Sequence, residues 1–494
     1  MIKNILYKST RGQKTSFTSS QAIIQGLAED GGLFVPDEIP KIEEELHLIK
    51  NFSYKEMAYF VMSKFLTDFT EEELKGCIEK AYGEKFDTLE IAPLKKVGHT
   101  YFLELFHGPT LAFKDMALSI LPYLMKTARE KEKIESEIVI LTATSGDTGK
   151  AALEGFSEVN GVKIIVFFPE EGVSEIQKMQ MRTHKGSNTY VVGINGNFDD
   201  AQAGVKEIFA DNEFAAKLKQ SNYIFSSANS INIGRLIPQI VYYFHAYAEL
   251  FRKGEIKWGE NINVTVPTGN FGNILAAYYA KNMGLPIDKL ICASNSNKVL
   301  FDFLTTGKYD KNRDFVTTIS PSMDILISSN LERLLYELAG KDSLKTKELM
   351  EDLKTKGSYE LDRDMKTGLL DFIGGYAGEK ATKESIKEVF KSYKYLMDTH
   401  TAVAYSVYKD NKVNNRKNII ISTASPYKFT ASVMRAIDSK YNEVDDFKLL
   451  NKMGELLKSS VPVQIKDIEL APILHKGVCG KHEIKAMVKK ILFD

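Results

Sequence analysis

The sequence predicts an open α/β fold with largely parallel sheets, preceded by a mainly helical N-terminal unit and followed by a helical C-terminal extension. Three observations predict it. Short apolar runs alternate with amphipathic helical patterns between about residues 100 and 300. Helical periodicity dominates on either side of that region. The length of 494 residues, with 44% hydrophobic content, supplies core for two or three packed units.

In chain order, a Gly/Pro-punctuated opening, AEDGGLFVPDEIP, leads into the helical patterns SYKEMAYFVMSKFLTDF and EEELKGCIEKAYGEKF. These define an N-terminal unit over residues 1–95. The strand-like runs EIVILTA, VKIIVFF, TYVVGI, YIFSSAN and INVTVP follow, each succeeded by an amphipathic stretch, within a catalytic unit over 96–428 that has two lobes. The β-run NIIISTA at 418–424 interrupts a second helical region, and residues 429–494 read as helical cover. Sheets of this kind bind ligands at the carboxyl ends of their strands.

Charge narrows the choice of ligand. Basic and acidic residues balance at 65 each, so no global field recruits nucleic acid or an anionic membrane, and a small molecule is the expected partner. Cys77, Cys292 and Cys479 are too far apart for a disulfide framework or a zinc site, which points to a reducing cytoplasm and no metal. The N-terminus has no apolar signal core, and no run reaches a membrane-spanning length. Nothing in the composition sets the oligomeric state.

One lysine stands out. In HGPTLAFKDMAL, Lys114 lies inside an apolar run. If Thr110 caps a helix starting near Leu111, positions 111, 117, 118 and 121 share a face with Lys114, and all are Leu or Ala. Burial and a helix N-terminus both disfavour the ammonium, which makes the amine a nucleophile. The competing reading is a lysine with a buried stem and a head in water.

Two turns between an apparent strand and a helix belong with it: TSGDTG at 144–149 and TGNFGN at 268–273. The first resembles a nucleotide-binding loop, but it lacks the required glycine at Thr144 and the hydroxyl at Ala151. TGNFGN is the better phosphate cradle, because Gly269, Asn270, Phe271, Gly272 and Asn273 include no acid, two glycines and two amide donors. In TSGDTG, Asp147 repels a dianion, while Ser145, Gly146 and Thr148 offer donors for a carboxylate. Asp147 and Thr268 read equally well as helix caps. In SANSINIGR, Asn229, Ser230 and Asn232 crowd a turn with Arg235 one helical turn further on, which makes either a second phosphate site or an ordinary cap. An activated lysine with separate phosphate and carboxylate cradles points to pyridoxal 5'-phosphate, whose aldehyde condenses with a lysine amine and whose ring then acts as an electron sink for an amino acid.

The segments STRG, GLAEDGGLFVP, HGPTLAFKDMA, TATSGDTGKAAL, SANSINIGRLIPQIVYY, VPTGNFGNILAAYYAKNMGLP, SPSMDILISSNLERLL and STASPYKF resemble the threonine synthase family, in that family's order and over nearly the whole chain. The resemblance implies the pyridoxal-phosphate fold represented by tryptophan synthase β-subunits. It also implies roles for individual residues. Lys114 would hold the cofactor and move protons, and Gly269 to Asn273 would hold its phosphate. Ser145, Asp147 and Thr148 would meet the substrate carboxylate and the cofactor's ring hydroxyl. Asn229, Ser230 and Arg235 would grip the substrate phosphate, and Thr423 would face the pyridine nitrogen. The implied reaction converts O-phospho-L-homoserine and water to L-threonine and phosphate. A phospho-lyase releasing 2-oxobutyrate, ammonia and phosphate is the alternative, and a non-catalytic protein on the same fold is the third reading. Ser425 departs from the pattern, since the family carries histidine before this proline. His400, in DTHTAVAY, fits a family segment but reads more readily as structural.

Overall fold

The computed structural model describes residues 4–144, 146–171, 173–209, 211–411, 413, 415–442 and 445–494. Strands β1 (Tyr7–Ser9) and β2 (Phe34–Pro36) form a small antiparallel pair in the N-terminal unit. The chain continues with β3 (Leu94–Val97), β4 (Thr100–Glu104), β5 (Glu137–Ala143), β6 (Val162–Pro169), β7 (Thr189–Asn195), β8 (Tyr223–Ser226), β9 (Ile262–Pro267) and β10 (Ile287–Ser294). A second small pair, β11 (Lys308–Asp310) with β12 (Ser358–Glu360), precedes β13 (Phe372–Tyr376), β14 (Asn418–Ser422) and β15 (Gly477–Gly480).

These build two larger sheets among the described residues. The first runs β13-β10-β9-β14-β4-β3, parallel except for the edge pair β3 and β4; the second runs β15-β7-β6-β5-β8 and is parallel throughout. Parallel strands buried on both faces read as continuous apolar runs, which is why EIVILTA and INVTVP coincide with β5 and β9. Register is held by apolar pairs such as Leu141 with Ile165 and Ile421 with Leu103. Between the sheets' helices lies Ile233–Arg252, buried on nearly every side: seventeen of its twenty residues are buried, including Tyr242, Tyr243 and Tyr247. A helix buried on every side belongs inside a large protein, and its few polar side chains, Arg235 among them, need partners there.

The β-run expected at 418–424 forms β14 and sits between β9 and β4, so a late segment completes the middle of the first sheet. One element differs from the sequence expectation. The C-terminal extension, expected to be helical, also contributes β15, which pairs in parallel with β7 at the edge of the second sheet. Its closing helix Ile484–Phe493 buries Ile484, Val488 and Leu492 against Val192, Val205 and Phe214. A four-residue run with two glycines has too little apolar period to announce a strand. Among the described residues no helix is long and apolar enough to cross a membrane.

Candidate active site

The carboxyl ends of β4, β5, β8, β9 and β14 lead into the segments that carry the sequence-predicted residues, as the fold requires. Lys114 directly precedes the short helix Asp115–Leu118. The helix expected from Leu111 does not form. Leu111 is left-handed (φ 61°), and the Asp115 carboxylate reaches back to accept from the Thr110 amide at 2.8 Å and its hydroxyl at 2.6 Å. The strand-like segment after β14 takes the remaining backbone groups: Phe113 N–H donates to Thr423 O at 2.8 Å, and Ser425 N–H to Leu111 O at 3.0 Å. Tertiary hydrogen bonds thus replace a local helix. The apolar surroundings survive, since Leu111, Ala117, Leu118 and Leu121 are all buried.

Lys114 Nζ lies 3.5 Å from Asp147 Oδ2. Lys428 Nζ lies 2.9 Å from Asp147 Oδ1 and donates to Thr110 O at 2.9 Å. Gln177 Nε2 donates to Oδ1 at 2.7 Å and Ser322 Oγ to Oδ2 at 3.3 Å. Burial pushes the Lys114 amine down; Asp147 pulls it back, Lys428 and Arg235 push it down again, and the balance lies below the ordinary lysine value. Burial would raise Asp147, but Lys428 and then Lys114 overcome it and hold the carboxyl well below the usual carboxylate range. The result is an ionised acid beside an amine biased toward its neutral, nucleophilic form.

Asp147 is free for this role because Thr144 does the capping. Thr144 Oγ1 accepts from the Gly146 and Gly149 amides at 3.0 and 2.9 Å, at the start of the helix Asp147–Phe156. Gly146 N–H is therefore taken, which corrects its expected use as a carboxylate donor. Gly146 itself holds φ 135°, and a Cβ there would meet the Gln177 amide at 2.7 Å. Thr148 is half-buried on that helix, and Ser145 lies outside the described residues.

The turn after β9 leads into the helix Gly272–Asn282, with Phe271 left-handed at its entry (φ 64°). Asn273 Oδ1 accepts from Tyr242 OH at 2.7 Å and Tyr243 OH at 2.6 Å, which leaves its buried Nδ2 without a partner among the described residues. A Cβ on Gly269 would lie 2.5 Å from the Ser322 carbonyl oxygen. Ser328 Oγ donates to Gly269 O at 2.7 Å, and Asn330 donates to Asn270 O from its backbone at 3.1 Å and its side chain at 3.0 Å. Asn270 is exposed, and Gly272 is half-buried. The turn is thus a rigid cup at a helix N-terminus, without an acid and with a buried amide donor unmet.

The third group follows β8. Asn229 Oδ1 accepts from Thr142 Oγ1 at 3.2 Å, and Ser230 Oγ lies 3.4 Å from Ser329 Oγ. Asn232 caps the helix Ile233–Arg252, accepting from Gly234 N–H at 2.9 Å. Arg235 is 4% exposed, donates only Nη1 to Ala228 O at 2.9 Å among the described residues, and keeps Nε buried without a partner. Burial lowers its guanidinium to about 10. An unmet buried cation one turn into a helix fits an anion. Thr423 is buried beside Phe113. Ser425 caps the turn Pro426–Phe429, and His400 accepts from Ser322 N–H through Nε2 at 3.1 Å while its Nδ1 faces Asp398 at 2.8 Å.

Several participants escaped the sequence reading: Thr144, Gln177, Ser322, Ser328, Asn330 and Lys428. Lys428, Ser322, Ser328 and Asn330 stood inside segments that carry the family resemblance, but nothing local gave them a task. Gln177 lies in a plain amphipathic helix with no signal at all.

The residues present fit pyridoxal phosphate: a buried lysine whose amine is held below its ordinary value for the aldehyde, and an acid-free turn whose buried Asn273 amide has no partner among the described residues for the phosphate. Fold and site together define a pyridoxal-phosphate-dependent enzyme. A family model described as "Pyridoxal-phosphate dependent enzyme" matches residues 88–423, with "Threonine synthase N terminus" over 6–82 and "Threonine synthase, C-terminal" over 401–471. The chain belongs to the threonine synthase family, with pyridoxal phosphate as its cofactor. It is 39% identical over 435 residues to threonine synthase of Pseudomonas aeruginosa, covering 87% of this chain and 90% of that one. It is 42% identical over 444 residues to threonine synthase-like 1 of Pongo abelii, covering 87% of this chain but only 59% of that longer protein. The structure of PLP-bound threonine synthase from Brucella melitensis aligns with a TM-score of 0.88 at 35% identity, covering 99% of this chain and 98% of that one.

Proposed function

We propose that this chain is a threonine synthase that converts O-phospho-L-homoserine and water to L-threonine and phosphate, the last step of threonine biosynthesis. The observation that carries the reading is Arg235, a buried guanidinium whose Nε has no partner among the described residues, close enough to Lys114 to depress its amine. One anion site beyond the cofactor cradle is what a phosphorylated amino acid needs.

Pyridoxal phosphate, when bound, supplies an electron sink that makes the α-proton of an amino acid removable. Lys114 Nζ would hold the cofactor aldehyde and would take and return protons, its amine held below the ordinary lysine value by burial. Asp147 stays ionised and orients Lys114. The turn from Gly269 to Asn273 would seat the cofactor phosphate, Thr423 would face the ring, and Asp147 and Thr148 would serve the substrate carboxylate and the ring hydroxyl. Asn229, Ser230 and Arg235 hold the substrate phosphate and then the departing phosphate. We place the enzyme in the cytoplasm, in keeping with three free, buried cysteines.

The test is to incubate the purified, cofactor-loaded protein with O-phospho-L-homoserine and separate the products. Threonine with equal phosphate is expected. Phosphate with 2-oxobutyrate and ammonia would replace the reading with a lyase.

A further inference from the structure

A cavity of about 350 Å³ opens between the helices Asp147–Phe156 and Glu175–Arg182 and the C-terminal segment 464–471. It holds polar groups that the reacting site does not use. Gln180 is 1% exposed, and both its Oε1 and Nε2 are buried without a partner among the described residues. His184 Nδ1 lies 3.0 Å from Lys150 Nζ and 3.5 Å from Glu154 Oε2; accepting from the ammonium puts the ring proton on Nε2, also buried and without a partner among the described residues. Burial, followed by the Lys150 ammonium, holds this imidazole below its ordinary value and keeps it neutral. A buried polar atom left unmet costs about 1–3 kcal/mol, so unmet groups gathered around one cavity point to something that completes them.

What is missing is an acceptor for Gln180 Nε2 and His184 Nε2, together with a donor for Gln180 Oε1. The rest of the lining carries both signs. Lys150 pairs with Glu154 at 3.1 Å, and exposed Lys466 stands beside exposed Asp467. A phosphate dianion would leave Gln180 Oε1 unmet and would face two carboxylates. A carboxylate next to an ammonium satisfies every unmet group, and Ile468 with Ala471 offers a small apolar wall. We propose that this cavity is a second ligand site, for a small aliphatic α-amino acid, separate from Lys114.

The site is wired to the reacting centre through two helices. Lys150 follows Asp147 by one turn on the first, and Gln180 follows Gln177 by one turn on the second. Gln177 donates to Asp147, so a ligand that draws on Lys150 and Gln180 bears on both elements that position the buried acid. The inference does not rest on the proposed reaction.

The test is a calorimetric titration of the cofactor-loaded enzyme with L-alanine, L-valine and L-isoleucine. D-valine and inorganic phosphate serve as controls, and the cofactor absorption band is followed in parallel to separate binding at Lys114. Saturable binding of at least one L-amino acid with the band unchanged is expected. Gln180→Leu replaces an unpaired buried amide by an apolar side chain of similar size and should weaken binding about tenfold. Lys466→Glu, at an exposed position, should weaken it without touching the fold. The proposal is overturned by no saturable binding at millimolar concentration, by binding that both variants leave unchanged, or by phosphate binding as tightly as the amino acids.

Discussion

Lys428 Nζ stands 2.9 Å from Asp147 Oδ1, with its side chain 0% exposed and that of Asp147 5% exposed. Lys114, the lysine proposed to react, is farther from the same carboxylate at 3.5 Å. Asp147 thus faces two lysines, and the nearer, Lys428, does more to hold its carboxyl low than Lys114 does. Lys428 thereby both draws on Asp147 and repels charge at Lys114, which keeps the reactive amine available.

Lys428→Met keeps the volume and removes the charge. Lys114 then loses a repulsive neighbour and gains a larger share of Asp147, so the pH midpoint for its reaction with added pyridoxal phosphate, followed by absorbance, should move upward. Breaking the buried pair should cost about 3 kcal/mol in a denaturant titration. Because Asp147 is depressed in the folded state, its stabilisation is present above its ordinary value of 3.8 and is lost as the pH falls below it. The acid-unfolding arm of the variant should therefore begin at higher pH. An unmoved reaction midpoint would remove Lys428 from this role.

Arg235→Met should separate stability from function. Removing a buried cation whose Nε has no partner among the described residues should leave the melting temperature unchanged or raise it. Transition-state binding of the phosphorylated substrate should weaken by about 1.5–3 kcal/mol in kcat/KM, with pyridoxal phosphate binding intact. Unchanged kinetics would take Arg235 out of the site.

Gly269→Ala adds a methyl group 2.5 Å from the Ser322 carbonyl oxygen, a backbone atom that cannot swing aside. The cup or the Ser322 segment must shift, at about 1–3 kcal/mol, and equilibrium dialysis should show the loss as weaker pyridoxal phosphate binding. Cofactor affinity equal to that of the wild type would place the phosphate elsewhere.

His107 gives a pH signature outside the reacting groups. It lies between Asp87 and Glu104, which outweigh burial and raise its imidazole to about 9 from 6.5. A raised value means stabilisation fully present below about 6.5 and lost as the pH rises through about 9. His107→Gln should therefore cost about 2 kcal/mol near neutral pH and almost nothing in more alkaline buffer, read as urea midpoints across the range. A cost independent of pH would mean that packing, not charge, holds this histidine.

Legibility in the sequence followed how local each determinant is. The run INVTVP and the turn TGNFGN could be read because a buried parallel strand and a glycine-bearing helix entry each leave a mark within a few residues. Lys114 could be singled out from its apolar neighbours, yet the helix that Thr110 could have capped from Leu111 does not form. Asp115 and the 423–425 backbone, the latter some 300 residues away in sequence, claim those hydrogen bonds. Asp147 could be found but read as well as a cap, since nothing near it revealed that Thr144 does the capping or that Lys428 would arrive from the far end of the chain.

By itself the sequence determined the strand and helix alternation, the acid-free turn, the lysine in its apolar run and the family to which these belong, because hydrophobic period and turn chemistry act over short distances. Only the tertiary structure decided that β14 and β15 complete the two sheets from the C-terminal side and that Ser322 braces Gly269. It alone set one buried carboxylate between two lysines. Those outcomes depend on charge, burial and close approach between segments hundreds of residues apart, and such energies exist only once the chain has folded.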